Sequence, residues 1–177
     1  MIWRGRKLCR SFAKDRSGVA ALEFALVAPM LFALIFASIE AGWIMVQTIM
    51  LDRALDRTVR SLRIGTIESP TQENIREAVC ADAFVLADCD RMLTLEFVPI
   101  ATVNDYPTDT ARCVSGGGSL RPVIRFNPGQ RSQLVFVRAC FVVAPLTPGL
   151  GLGLSLPKDS TGDTRLIAKS GFVNEPS

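Results

Sequence analysis

The chain has 177 residues, of which 49% are hydrophobic and 21% are charged, and its mean hydropathy of +0.28 exceeds that of a typical soluble domain. This length allows one membrane segment beside one domain of about 100 to 150 residues, and it excludes a transporter with many spans. The charged and hydrophobic content excludes a chain that is disordered throughout. Because the sequence contains no histidine, catalysis and metal binding by imidazole are excluded as well.

The positive charge is concentrated at the N-terminus. Residues 1–18 contain six basic residues and one acidic residue, a net charge of +5, whereas residues 19–177 have a net charge of −2. A protein that binds nucleic acid spreads its basic residues over a folded face, so no nucleic-acid partner is expected here. A short basic head directly before an apolar run indicates a cytoplasmic leader over residues 1–18.

The apolar run extends from Val19 to Leu51 and contains two charged residues, Glu23 and Glu40. At a rise of 1.5 Å per residue it can cross a hydrocarbon core of about 30 Å, so we predict a transmembrane helix over 19–51 in contact with the lipid bilayer. The alternatives are a buried core helix and a removable secretory signal. The first would need a much larger protein around it, and the second lacks a conventional cleavage site after the run. Glu40 is expected at the far interface or against a partner helix.

The orientation follows from the basic head, which is expected to stay in the cytoplasm. Four arginines beyond the span oppose this bias, namely Arg53, Arg57, Arg60 and Arg63. Four of the five cysteines also lie beyond the span, an even number that an oxidising compartment favours, and only Cys9 lies in the head. We therefore expect a single-pass protein of the inner (cytoplasmic) membrane with a periplasmic or extracytoplasmic C-terminal domain.

Glu23 lies near the start of the apolar run, four residues after a junction at Gly18 and Val19. A cut between these two residues would give Val19 a new α-ammonium group, with Glu23 as the fifth residue of the product on the same helix face. In packed helices the carboxylate of one subunit could then neutralise the ammonium of its neighbour. The alternative is that Glu23 sits at the interface or favours the helix N-terminus through its dipole.

The sequence of this junction resembles that of a known family. Residues 16–31 read RSGVAALEFALVAPML, similar to the N-terminus of TadE-like proteins, the minor pseudopilins of the tight-adherence (Flp-type) pilus system. Weaker similarities follow in the family's order: Val135–Arg138 (VFVR), Pro145–Pro148 (PLTP) and Gly171–Pro176 (GFVNEP). The first motif is fairly specific, and the resemblance touches both ends of the chain.

The resemblance implies a function in pilus assembly or secretion. A prepilin peptidase would cut between Gly18 and Val19, and Glu23 with Phe24 would form the assembly motif that follows the cut. The implied partners are the prepilin peptidase, the major pilin, other minor pseudopilins and the inner-membrane pilus assembly platform. Many family members remain single-span envelope proteins, so an uncleaved protein that scaffolds the secretion machinery stays open as the alternative.

An α+β outer domain is predicted beyond the membrane. A helical stem over 52–65 continues the span, with an apolar stripe at Leu51, Leu55, Val59 and Leu62 and a stop at Gly65. The domain over 66–177 begins with a helix capped by Ser69, with Pro70 as first helical residue and Gln72 completing a capping box, and with a buried face at Ile75, Val79, Ala83 and Leu86. A small antiparallel sheet follows. Leu93, Leu95 and Phe97 alternate with polar residues, which predicts a strand with one face exposed to solvent. Residues 134–143 and 166–173 are predicted to form further strands.

The four outer cysteines are expected to form two disulfides. Four cysteines allow three connectivities, and spacing alone does not choose among them. We favour Cys80 with Cys89, because a turn at Asp88 could bring them together, and Cys113 with Cys140, which would tie a glycine-rich loop to the central strand. Four reduced, buried thiols are the alternative.

No catalytic pattern supports an enzyme, and no cofactor is predicted. The sequence has no Cys-x-x-Cys pair and no Gly-x-Ser-x-Gly elbow, and its outer acidic residues have no spacing that fixes a carboxylate pair. The glycines at 116–118 and at 149, 151 and 153 do not match phosphate or dinucleotide loops and indicate surface loops. Asp82, Asp88, Asp90, Asp105 and Asp109 are interpreted as isolated surface acids.

Overall fold

The computed structural model describes residues 18–67, 70–114, 122–147, 156, 158 and 162–174. Several sequence predictions lie outside these residues: most of the leader, Cys9, the Ser69 cap, both glycine-rich loops, Pro148 and the final Glu175-Pro176. Within them, three α-helices and one three-stranded antiparallel sheet give the predicted α+β fold.

One continuous helix, α1 (Val19–Arg63), joins the apolar run to the stem. It is long and apolar enough to cross a membrane, and most of its N-terminal part is exposed. The helix ends where Gly65 adopts a φ of +73°, with Gly65 N–H donating to the Leu62 carbonyl and Thr66 N–H to the Ser61 carbonyl. These two bonds form the glycine-based cap that the sequence predicts at this position.

Two shorter helices follow, α2 (Gln72–Asp82) and α3 (Cys89–Met92). The cap of α2 differs from the prediction: Thr71 is the N-cap, its hydroxyl accepts from Asn74 N–H, and the Asn74 side chain accepts from Thr71 N–H. Pro70 therefore precedes the helix. Thr71 and Asn74 form the reciprocal hydrogen bonds of a capping box, with Asn in place of the usual Glu or Gln.

The sheet has the order β1 (Leu93–Ile100), β2 (Leu134–Val143) and β3 (Thr164–Val173). Leu93 pairs with Phe141 in the first ladder, and Val143 pairs with Thr164 in the second. Phe97 N–H donates to the Arg125 carbonyl, and Asn127 N–H donates to the Phe97 carbonyl, so the segment around Phe126 covers part of the outer edge of β1.

The core lies between the sheet and the layer formed by α1 and α2. The predicted stripe of α1 (Leu51, Leu55, Val59, Leu62) and the predicted face of α2 (Ile75, Val79, with Ala83 and Leu86 after it) are all buried there. From the strands it contains Leu93, Leu95, Phe97, Val135, Val137, Ala139, Phe141, Leu166, Ala168 and Phe172. The stem stripe is thus an intramolecular core face.

The opposite face of the sheet is covered over β1 and β2, contrary to the prediction of a wet face for β1. Thr94 and Glu96 are buried there, because the segment that contains Ala111 and Val114 lies over them. The Thr94 hydroxyl donates to the Arg112 carbonyl at 2.8 Å, and the rings of Tyr106 and Phe136 lie 4.7 Å apart. A polar residue in an alternating strand therefore faces another part of the protein here, and not water.

Candidate functional site

The predicted processing junction lies at the exposed start of α1. Gly18 is the N-cap residue, and its carbonyl accepts the first helical hydrogen bond from Leu22 N–H at 3.1 Å. Apart from Gly18 itself, its two chain neighbours and the adjoining helix backbone, no atom lies within 4 Å of the position that a Cβ would occupy on Gly18. Gly18 is exposed, and Val19 is 61% exposed.

Glu23 and Phe24 project from the helix one turn later. Both are exposed, and neither contacts the outer domain in the residues that the structure describes. Four residues correspond to a rise of about 6 Å along the axis, so Glu23 lies one turn above Val19 on the same face. A carboxylate on an apolar, outward-facing helix surface needs a partner from outside the helix once that surface is buried.

Glu40 lies at the junction between α1 and the outer domain. Its side chain is only 1% exposed. One carboxylate oxygen accepts from Thr147 N–H at 3.1 Å, and the other accepts from the Thr147 hydroxyl. Glu40 is therefore bound by the turn that follows β2 in its own chain.

A cluster of charged side chains lies on the outer face of the sheet. Glu96 and Arg138 face each other in the β1–β2 ladder, and both are 4% exposed. Arg138 donates from Nε to Glu96 Oε2 at 2.9 Å and from Nη1 to the Asp109 carbonyl at 2.8 Å. Arg125 Nε donates to the other oxygen of Glu96, also at 2.9 Å. Asp109 is thus part of a network and not the isolated surface acid that the sequence indicated.

Asp109 is held in its charged form by this network. Desolvation raises the pKa of Asp109, but the hydrogen bond from Arg138 and the positive charges of Arg138, Arg125 and Arg112 outweigh it. The pKa of this carboxyl therefore lies below its ordinary value of 3.8.

The structure contains two disulfides. Cys80 is joined to Cys89 with a Cα–Cα distance of 5.6 Å, and Cys113 is joined to Cys140 with a Cα–Cα distance of 5.5 Å. These are the pairs that the sequence analysis favoured. Asp88, with a φ of +52°, makes the turn before Cys89, and an aspartate tolerates this left-handed conformation better than most residues. The Cys113–Cys140 bond joins the segment that covers Thr94 and Glu96 to the central strand β2.

The two buried carboxylates, Glu40 and Glu96, are the residues whose roles the sequence analysis missed. For Glu96 a signal exists, since Arg138 interrupts the second predicted strand and complementary charges on neighbouring strands can pair. For Glu40 no local signal points to Thr147, which is 107 residues away in sequence. Among the described residues, no group of three or more Cys, Asp and Glu could hold a metal ion.

Comparison with known proteins agrees with the resemblance noted in the sequence. The family model of TadE-like proteins matches residues 18–60, from the predicted cleavage junction through most of α1. This match confirms the resemblance over about a quarter of the chain and suggests a protein related to the Tad pilus. No curated protein and no solved structure matched the chain.

Proposed function

We propose that the protein is a minor pseudopilin of a tight-adherence (Flp-type) pilus system that acts in pilus assembly or secretion. A prepilin peptidase removes residues 1–18 on the cytoplasmic side, and the mature chain begins at Val19. The α1 helix then holds the protein in the inner membrane with the disulfide-bonded domain outside. The partners are the major pilin, other minor pseudopilins and the assembly platform.

The observation that carries this proposal is the exposed position of Glu23 one turn after an open glycine junction. Hydrolysis of the Gly18–Val19 bond by water releases a leader carboxylate and leaves the α-ammonium of Val19 at the helix start. That ammonium opposes the helix dipole, so it is stabilised by a nearby carboxylate. In a filament the carboxylate comes from Glu23 of a neighbouring subunit, because both groups project from the outside of the helix.

The proposal is tested by the N-terminal residue of the membrane-extracted protein, determined by mass spectrometry in cells with and without the peptidase. The mature chain should begin at Val19 and be smaller by about 2 kDa, in proportion to 18 of the 177 residues of a 19.3 kDa chain. Gly18→Leu should retain the leader. Gly42→Leu is the matched control, since Gly42 also has open space around its Cβ position but lies inside α1, far from the junction, and it should be processed normally.

An intact Met1 terminus in peptidase-positive cells would reject the pseudopilin in favour of the uncleaved scaffold. Assembly is tested separately with Glu23→Ala. This variant should insert and be processed, yet its co-purification with the major pilin and other pseudopilins should fall, because the ammonium of Val19 is left unpaired. Undiminished co-purification would reject the assembly role of Glu23.

A further inference from the structure

The turn over residues 144–147 lies at the end of the outer domain nearest the N-terminal part of α1. Ser170 Oγ donates to Asp56 Oδ1 at 2.9 Å, while Gly171 and Phe172 lie beside Val59 and Arg60, so β3 runs in the same direction as α1. β2 is antiparallel to β3 and therefore runs back toward the N-terminal part of the helix. The turn follows directly after β2.

The rise per residue of strand and helix gives the position of this end of the domain along the axis of α1. From Ser170 back to Thr164 the strand covers about 20 Å, which corresponds to roughly 13 residues of helix. Counted from Asp56, this places the start of β3 near the level of Trp43. The hydrogen bonds of Thr147 to Glu40 place the turn slightly lower still.

The helix below this level has the length of one membrane crossing. Residues 19–39 cover about 31 Å, close to the hydrocarbon thickness of about 30 Å. Trp43, 40% exposed, lies just above Ile39, at the level where aromatic side chains mark the membrane interface. The outer boundary of the hydrocarbon therefore coincides with Glu40 and the turn bound to it.

The turn itself is suited to contact lipid. Leu146 is 57% exposed although it is a large apolar residue, and the sequence carries no charged residue from Ala139 to Pro157. The carboxylate of Glu40, which would be costly in hydrocarbon, is satisfied by Thr147 and shielded from lipid by the turn. The charged residues Asp163 and Arg165 lie beside Thr164, at the slightly higher level of the head groups.

We infer that the 144–147 turn is a membrane-docking surface, with Leu146 seated at the acyl-chain boundary of the outer leaflet and Glu40 fastening the turn to the spanning helix. The outer domain is thereby held directly on the bilayer. This inference rests on the membrane-anchored orientation in the proposed function. It moves the outer end of the span from Leu51, as expected from the sequence, to about Ile39.

The experiment measures the depth of an environment-sensitive fluorophore on a single added cysteine. The full chain with Cys9→Ser and intact disulfides is placed in phosphatidylcholine vesicles that carry a doxyl quencher either near the head group or in the acyl chain. Leu146→Cys is compared with Val103→Cys, which is 91% exposed after the far end of β1, and with Met30→Cys, which is 78% exposed in the predicted span.

The probe at residue 146 should be quenched by shallow lipid-bound doxyl and should resist aqueous iodide several-fold better than the probe at residue 103. A probe at residue 146 that is as accessible to iodide as that at residue 103 would overturn the inference. If the probe at residue 30 stays lipid-buried in that case, the proposed function stands. If the probe at residue 30 is also accessible, the spanning helix and the proposed function fail together.

The fastening role of Glu40 is tested in the same vesicles. Glu40→Ala should raise iodide access to the probe at residue 146 several-fold, because the turn loses its bonds to the helix. Gln47→Ala is the matched control, since Gln47 is buried on the same helix face two turns further along, and it should leave the access unchanged. Unchanged access in Glu40→Ala, or an equal rise in both variants, would overturn the role of Glu40.

Discussion

The buried ion pair between Glu96 and Arg138 gives the sharpest prediction on stability. Methionine in place of Arg138 fills much of the volume of the arginine stem but leaves the Glu96 carboxylate buried without its closest partner. Removing one member of a buried pair typically costs about 3 to 5 kcal/mol, because an uncompensated charge remains out of water. We expect Arg138→Met to lower the free energy of unfolding by about that amount.

Arg125→Met is the matched control for this variant. Arg125 binds the same carboxylate at 2.9 Å, but its side chain is 49% exposed. Exposed and half-exposed pairs contribute about 1 kcal/mol or less, so this substitution should cost far less. The double variant Glu96→Leu with Arg138→Met should recover much of the loss, since it removes both buried charges together.

The assay is urea and thermal unfolding of the full, disulfide-bonded chain in detergent micelles. Near-UV circular dichroism follows the loss of aromatic packing, which includes the contact of the Tyr106 ring with Phe136 on this face. At roughly 4 °C per kcal/mol, Arg138→Met should lower the Tm by roughly 12 to 20 °C and Arg125→Met by less than about 4 °C. Equal effects of the two substitutions, or a loss below about 1 kcal/mol for Arg138→Met, would refute the reasoning.

Two further predictions concern acid stability and the disulfides. Because the pKa of Asp109 is depressed in the folded state, its stabilising contribution is present above the ordinary value of 3.8 and is lost as the pH falls through the folded-state pKa. In urea unfolding, the wild type should therefore have a higher free energy of unfolding than Asp109→Asn, and this difference should disappear at lower pH. A difference that does not change with pH would contradict the prediction. Non-reducing peptide mapping should find Cys80 with Cys89 and Cys113 with Cys140. Opening either bond should lower the free energy of unfolding by about 2 to 4 kcal/mol. Crossed pairs would reject this connectivity, and four free thiols would reject the oxidising compartment.

The sequence by itself determined those features that depend on local pattern. The apolar run and the glycine at position 65 set a helix from Val19 to Arg63, because helix continuation and a left-handed cap are decided within a few residues. The second strand agrees with its prediction over 134–143, since a long apolar stretch rich in β-branched and aromatic residues has few other solutions. The processing junction at Gly18 and Val19 is likewise predicted from consecutive residues.

Only the tertiary structure decided what covers each polar residue. The alternating pattern of β1 predicts that Glu96 faces solvent. In the structure the segment after Tyr106 covers Glu96, and Asp109 of that segment contacts Arg138. The sequence predicts Glu40 at the far interface or against a partner helix, and the structure adds that Thr147, in the turn after β2, binds its carboxylate. The periodicity of a sequence predicts which residues share a face of a helix or strand. It does not predict which distant part of the chain covers that face. Because burying an unpaired charge is costly, the fold is one in which both carboxylates are bound.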